Sequence, residues 1–230
     1  MQSRSWLPPG RHWPDRPEIV AGQDTLAGGS WMGVNDHGVM AAVLNRTGSL
    51  GPSDDTRSRG ELVLDALDYA DAADAAEAMS AIDPQAYRTF NLVVADNRDA
   101  YWLCNRDGES RIEANDVSNG VSIITSQDMN DPDAPRVASF AHRFEAATPP
   151  NPETGDWREW MALMGTRAGQ LGDAPDEAMC VTSGHGFATV SSSLLALPAP
   201  GTEEKPIWRF ASGQPDRVAY EPVDLSAPIG

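Results

Sequence analysis

Two polar residues follow an apolar run at a point where the sequence predicts the end of a strand. Asn45 and Arg46 come directly after residues 41–44, AAVL. Polar side chains at such an edge can build a binding or catalytic site. An asparagine amide there can donate a hydrogen bond to a developing oxyanion. It can equally bond to nearby backbone and turn the chain into the next loop, and the sequence leaves both roles open for Asn45.

Two further residues are candidates for the same pocket. Ser126 follows the apolar-rich residues 121–125, and its hydroxyl offers one hydrogen-bond donor. His185 lies between Gly184 and Gly186, where a turn can place an imidazole over a ligand. The same triplet also fits a loop that needs glycine and carries an exposed histidine.

Neither the histidines nor the cysteines have the spacing of a metal site. The four histidines share no HxH or HxxxH pattern, so we predict no metal and no resident cofactor. Cys104 and Cys180 are far apart in apolar surroundings, which predicts buried, reduced thiols. A disulfide is disfavoured for a cytoplasmic chain.

Tryptophan is concentrated near the beginning of the sequence, at Trp6, Trp13 and Trp31. Such aromatic side chains can line a groove for a flat apolar ligand. They can also simply pack against the sheet. Both interpretations stay open at this stage.

The elements that would position these residues alternate between strands and helices. Residues 31–45 predict a hairpin with its turn at residues 36–38, while residues 1–26, rich in proline and glycine, predict an irregular arm. Apolar spacing predicts helices over 57–67, 71–82, 136–147 and 156–168. Short β-rich runs predict strands over 89–95, 100–104, 121–125, 181–197 (interrupted at 184–186) and 207–211. This order indicates an α+β fold with helices covering antiparallel sheets, in a single domain of residues 1–230.

The charge of the chain excludes several classes of partner. The formal net charge is −17 and the only lysine is Lys205, so nucleic acid and anionic membrane surfaces are disfavoured. No apolar run reaches the roughly 18 residues of a membrane-spanning helix. We therefore expect a soluble, cytoplasmic protein without membrane insertion, and the arginine- and alanine-rich composition points to a bacterial source.

Five segments in order resemble the NRDE family, also called the transport and Golgi organisation family. They are residues 28–34 (GGSWMGV), 42–45 (AVLN), 59–63 (RGELV), 90–96 (FNLVVAD) and 186–193 (GFATVSSS). The resemblance implies a four-layer αββα sandwich similar to the N-terminal-nucleophile hydrolases. It also implies a pocket that includes Trp31, Asn45, Arg46, Ser126 and His185. The Arg59-Gly60-Glu61 motif fits either reactivity or helix–sheet packing.

The family pattern carries a nucleophile that this sequence does not match. Relatives usually begin with Met-Cys on a first strand that ends in Asn-Arg-Asp-Glu, and hydrolases of this type use the first residue as nucleophile and its α-amino group as base. This chain begins Met1-Gln2, so we expect a form in which that first strand is missing and no catalytic residue can be assigned.

Two hypotheses follow, and whether the chain is an enzyme stays open. In the first, the protein binds or traffics a hydrophobic small molecule, for which the resemblance makes haem the leading candidate. In the second, it is a cysteine amide hydrolase whose nucleophile-bearing strand is absent from this chain. The sequence predicts no oligomeric state.

Overall fold

The computed structural model describes residues 4–51, 53, 55–170, 177–182, 188–202 and 204–226. Within these ranges the chain forms two antiparallel sheets and four α-helices. The larger sheet has seven strands in chain order: β1 (Trp6–Gly10), β2 (Ile19–Asp24), β3 (Met32–Asn35), β4 (Met40–Asn45), β5 (Phe90–Ala95), β6 (Ala100–Asn105) and β7 (Glu113–Asp116). The smaller sheet has the order β10-β9-β8, from β8 (Ser192–Ala196), β9 (Ile207–Ala211) and β10 (Glu221–Pro222). The helices are α1 (Gly60–Ala66), α2 (Ala72–Ser80), α3 (Pro135–Ala146) and α4 (Arg158–Met164).

The packing of these elements produces four layers. Helices α1 and α2 cover one face of the larger sheet, where Leu62 joins a buried cluster with Ala41 and Leu92. On the opposite face, Val20 of β2 packs with Trp208 of the smaller sheet. The far side of the smaller sheet packs against Trp157 and helix α4. The predicted α+β class and αββα order are therefore confirmed.

The predicted hairpin is present, and a buried asparagine anchors it. The Asn35 side-chain oxygen accepts hydrogen bonds from the backbone N–H groups of His37 and Val39. Its amide nitrogen donates to the carbonyls of Leu67 and Tyr69. All of this amide's hydrogen-bonding groups are thus used to tie the β3–β4 turn to the end of α1.

The prediction of an irregular arm over residues 1–26 is wrong. This segment contains β1 and β2, which pair with each other and extend the sheet. Pro8 and Pro9 lie on β1, the edge strand, where the register with β2 shifts between Leu7 and Gly10, and such an irregularity accommodates residues without an N–H. Strand β2 is held by burial, since Ile19, Val20 and Ala21 are almost fully enclosed.

The predicted strand over residues 121–125 is also wrong. This segment has no regular structure, and β7 instead lies at Glu113–Asp116. The carbonyls of Thr125 and Gln127 accept hydrogen bonds from the Asn91 side chain, so the segment crosses the face of the sheet instead of pairing at its edge. Its apolar residues reflect that partial burial.

The remaining predictions differ from the structure mainly in length. Helix α4 stops at Met164, before the predicted end at 168. Of the strand predicted over 181–197, the described residues form β8 and an isolated bridge between Thr182 and Ala188, while residues 183–187 lie outside the described part of the chain. The short strand β10 was not predicted.

Candidate functional site

A cleft opens beside the end of β4, on the face of the larger sheet that carries α1. Its volume is about 360 Å³ and its wall includes Arg4, Asp24, Trp31, Asn45, Arg59 and Arg88. We call it the arginine cleft. Strand β4 presents Asn45, while the segment before α1 presents Arg59.

The backbone around the cleft is tightly packed. A side chain at Gly29 would place its Cβ 2.5 Å from the carbonyl carbon of Gly60, and the backbone N–H of Ser30 donates to the Gly60 carbonyl at 3.0 Å. Neither glycine could carry a side chain without moving its neighbour. The glycines of the two motifs therefore seat the start of α1 against the turn that leads into β3.

Arg59 is partly buried and its guanidinium has only neutral hydrogen-bond partners among the described residues. It donates to the Ser49 hydroxyl at 2.8 Å and to the carbonyls of Thr89 at 3.0 Å and Gly51 at 3.3 Å. Burial lowers the pKa of Arg59, and the nearby Arg88 lowers it further. Arginine nevertheless stays protonated in proteins, so this site holds a positive charge without a carboxylate partner in the described part of the chain.

Three other arginines line the cleft and are held in different ways. Arg88 donates to the carbonyls of Gly48 and Leu50, both at 3.0 Å. Arg57 pairs with Glu61 at 2.7 Å, and the Arg4 Nε lies 2.5 Å from Asp24. Among the described lining residues there are thus four arginines and one acidic residue, Asp24. The local charge is opposite in sign to the net charge of −17.

Asn45 and Trp31 complete the wall. The Asn45 side chain is exposed and forms no hydrogen bond with any described residue, so its amide is available to a ligand. The Trp31 ring lies flat over Gly22, where an added Cβ would overlap the ring. Trp31 also meets Trp6 edge-to-face at 5.8 Å between ring centroids. The tryptophan is thereby fixed in orientation.

Arg46 directly follows Asn45 in the sequence, but its side chain lies on the opposite face of the sheet. Its guanidinium donates to the Asn91 side-chain oxygen at 2.7 Å, to the Cys104 sulfur at 3.1 Å and to Asp128 at 2.6 Å. Asn91 is fully buried and also accepts from the Trp102 indole at 3.1 Å. Arg46 thus belongs to a saturated polar network and does not line the arginine cleft.

Asp128 is the charged end of this network. It accepts hydrogen bonds from Arg46 and, at 2.9 Å, from Arg106, which also pairs with Glu113. Burial raises the pKa of Asp128, but the hydrogen bonds from Arg106 and Arg46 outweigh it and the pKa lies below its ordinary value. The carboxylate is therefore ionised at neutral pH and neutralises the arginines.

The other predicted pocket residues lie apart from the cleft. Ser126 is exposed, and its hydroxyl accepts a hydrogen bond from the Thr47 hydroxyl at 3.2 Å. His185 lies outside the described residues. Of the early tryptophans, Trp13 packs against the core under α1. The structure therefore brings together Trp31 and Asn45, and adds Arg59, whose role the sequence left open, and Arg88, which sequence reasoning missed.

The two cysteines are free and buried, as predicted. Burial raises the pKa of both the Cys104 and the Cys180 thiol. The Cys180 thiol donates to Asp216 at 3.3 Å. Both sulfurs are therefore protonated at neutral pH and are poor nucleophiles.

No helix within the described ranges combines the length and the apolar character needed to cross a membrane. The described residues also contain no group of three histidine, cysteine, aspartate or glutamate side chains placed to hold a metal ion.

Comparison with known proteins gives one family and one kind of structural likeness. No curated protein matches the chain. Of 19 solved chains that match, one is penicillin V acylase from Agrobacterium tumefaciens, which is 15% identical; the match covers 94% of this chain and 72% of that one, with a TM-score of 0.37. No conclusion about activity rests on that likeness. The family model for Transport and Golgi organisation 2 matches residues 4–177. Because this match covers well over half of the sequence, the chain belongs to the Transport and Golgi organisation 2 family.

Proposed function

We propose that this protein binds a small organic anion with an apolar portion in the arginine cleft. The observation that carries the proposal is the partly buried Arg59 guanidinium, which has only neutral partners among the described residues. A ligand carboxylate would supply the missing counter-charge. Charge-assisted hydrogen bonds from arginine to a carboxylate are about twice as strong as neutral ones and are often bidentate.

The rest of the cleft supports the same class of ligand. Asn45 offers an unused amide, and Trp31 and Val43 offer apolar surface. The volume of about 360 Å³ lies within the roughly 300–1,000 Å³ of small-molecule sites. Arg57 and Arg4 are paired with Glu61 and Asp24, so the positive charge that favours entry of an anion is that of Arg59, which has no carboxylate partner among the described residues.

Haem is the specific ligand we propose to test first. Its flat ring is apolar and could pack against Trp31, and its two propionates are carboxylates that could bind Arg59. Both residues line the cleft. The described wall of the cleft contains no histidine, cysteine, methionine or tyrosine to ligate iron. Binding would therefore depend on the propionates and the ring.

Titration with three porphyrins tests this proposal. Haemin and iron-free protoporphyrin IX should bind with similar affinity, measured by absorbance and tryptophan quenching, whereas protoporphyrin dimethyl ester should bind much more weakly. Arg59→Gln should weaken both acids about tenfold or more, since a hydrogen bond to a charged group contributes about 1.5–3 kcal/mol. Arg158→Gln is the matched control, because Arg158 is exposed and paired with Asp156 outside the cleft. Equal binding of the ester, or an unchanged affinity in folded Arg59→Gln, would reject the proposal.

Amide hydrolysis is the second candidate, and the free amide of Asn45 favours it because such a group can stabilise an oxyanion. The described cleft provides no activated nucleophile, however. The Ser30 hydroxyl bonds to the backbone of Met32, and Ser58 accepts from the backbone of Gly60. Mass spectrometry of the protein from its natural source would test this alternative: an amino-terminal cysteine, serine or threonine would support it, and any other first residue would count against it.

A further inference from the structure

A second, smaller cavity adjoins the arginine cleft. Its volume is about 180 Å³, and it is lined by Arg4, Trp6, Asp24, Trp31, Val190 and Ser191. We call it the tryptophan groove. Arg4, Asp24 and Trp31 line both cavities, so the two cavities are adjacent.

Aromatic rings define the groove. Trp6 meets Trp31 at 5.8 Å with the ring planes at 90°, and meets Phe210 of the smaller sheet at 5.9 Å and 75°. These three rings form a continuous row from the arginine cleft to the smaller sheet. Edge-to-face contacts of this kind fix the position of each ring. The groove therefore presents a preformed aromatic surface.

The charge of the shared wall is internally balanced. Arg4 places its Nε 2.5 Å from Asp24, and Asp24 also accepts hydrogen bonds from the backbone N–H groups of Leu26 and Ala27. The other described residues of the groove, Trp6, Val190 and Ser191 among them, carry no charge. Arg59, which has no carboxylate partner among the described residues, lines the arginine cleft and does not line the tryptophan groove. The two cavities thus differ in what they can bind: an anion in one, and an uncharged ring in the other.

We propose that the tryptophan groove receives the aromatic ring of the ligand whose carboxylate occupies the arginine cleft, which makes the ligand class an arylalkyl carboxylic acid. This inference rests on the anion site of the proposed function and names a second ligand class for that site, distinct from the porphyrin. Trp31 lies between the two ends of such a ligand and contacts both. Its fixed orientation over Gly22 sets the distance at which ring and carboxylate are accommodated.

Butanoate and 4-phenylbutanoate form a matched pair of probes, because they share a carboxylate and differ by one ring. The wild-type chain should bind 4-phenylbutanoate about tenfold or more tightly than butanoate, measured by titration calorimetry or ligand-observed NMR. The cation 4-phenylbutylamine should not compete.

Two variants test whether the phenyl ring of 4-phenylbutanoate binds in the tryptophan groove. Trp6→Ala removes one wall of the groove, and Ser191→Leu fills it from a partly exposed position that tolerates a larger side chain. Each should reduce the preference for 4-phenylbutanoate to below about threefold. Arg158→Gln should keep the full preference. Thermal melting identifies any variant that does not fold. If Trp6→Ala does not fold, the result for Ser191→Leu alone decides whether the ring binds in the tryptophan groove.

The outcomes separate this inference from the proposed function. If the wild-type chain binds both acids equally, or if both folded variants keep the preference, the groove does not receive the ring and only this inference fails. If the wild-type chain binds neither acid nor any of the porphyrins, the proposed function fails with it.

Discussion

Asn45 and Arg46 are neighbours in sequence and lie on opposite faces of the same sheet, where their surroundings differ sharply. On one face, Arg46 meets Asn91, Cys104 and Asp128, and every donor of the Asn91 amide is used. On the other face, Asn45 has no partner among the described residues and Arg59 has no carboxylate. A saturated network stabilises a fold, whereas unsatisfied polar groups around a cavity are available to a ligand. The contrast separates Arg46, which stabilises the fold, from Arg59, which we propose binds the ligand.

The largest effect should come from breaking the saturated face. Asn91→Ala would leave the Trp102 indole, one Arg46 nitrogen and the carbonyls of Thr125 and Gln127 without their buried partner. We expect a loss of about 3 kcal/mol in the free energy of unfolding, measured in urea. A loss below about 1 kcal/mol would show that water or rearrangement replaces these hydrogen bonds.

A smaller effect is expected from disturbing the open face. In Gly22→Ala the new methyl group would overlap the Trp31 ring and force it to move. Overpacking of this kind costs about 2 kcal/mol, measured by thermal or urea unfolding. Ligand affinity should fall at the same time, because Trp31 lines both cavities. Gly169→Ala is a control for the glycine substitution itself, since no atom lies within 4 Å of its added Cβ, although its positive φ of 79° adds a separate strain.

Asn45→Ala tests whether a polar side chain without hydrogen-bond partners contributes to ligand binding and not to stability. The side chain is exposed and unbonded, so the free energy of unfolding should change by less than about 0.5 kcal/mol. Affinity for 4-phenylbutanoate should fall about fivefold, through loss of one ligand hydrogen bond. Unchanged affinity would remove Asn45 from the site.

The smallest effect concerns pH and Asp128. Because the pKa of Asp128 is lowered in the folded state, its ionised form adds stability above the unfolded pKa of about 3.9, and this contribution is lost as the pH falls through the folded pKa. Its side chain is 42% exposed, so the contribution is at most about 1 kcal/mol. Asp128→Asn should therefore be less stable than the wild-type chain at pH 7, with the difference shrinking in urea unfolding series as the pH falls through the lowered folded pKa of Asp128. A difference that persisted below that pKa would point to packing instead of charge.

Local patterns predicted the hairpin, the helices and the α+β class, because apolar periodicity reports directly on which face is buried. The order of the four layers came from the family resemblance. Local patterns missed β1 and β2, where burial and an edge position outweigh the proline content, and they misplaced a strand at residues 121–125, which cross the sheet to satisfy Asn91. Of the predicted pocket, Trp31 and Asn45 line the cleft.

The sequence marks Arg59 as part of a motif but does not show its role, because that role depends on the absence of a carboxylate partner in three dimensions. Glu61 lies two residues away along the chain, yet it pairs with Arg57, which is four residues before it. Arg57 precedes α1 and forms an isolated bridge with Tyr87, so its pairing with Glu61 follows from the local fold and not from helical spacing. Only the local fold reveals which arginine keeps its charge exposed to the cleft.

The two prolines of β1 have a consequence for the behaviour of the protein at high concentration. An outermost strand normally displays a row of N–H and C=O groups that can recruit a strand from another molecule and start aggregation. Pro8 and Pro9 carry no N–H and lie where the register with β2 is irregular, and the Pro8 carbonyl lies 2.8 Å from the His12 ring nitrogen. The edge of the sheet at β1 is therefore less able to pair with a strand of another molecule and to start a fibre.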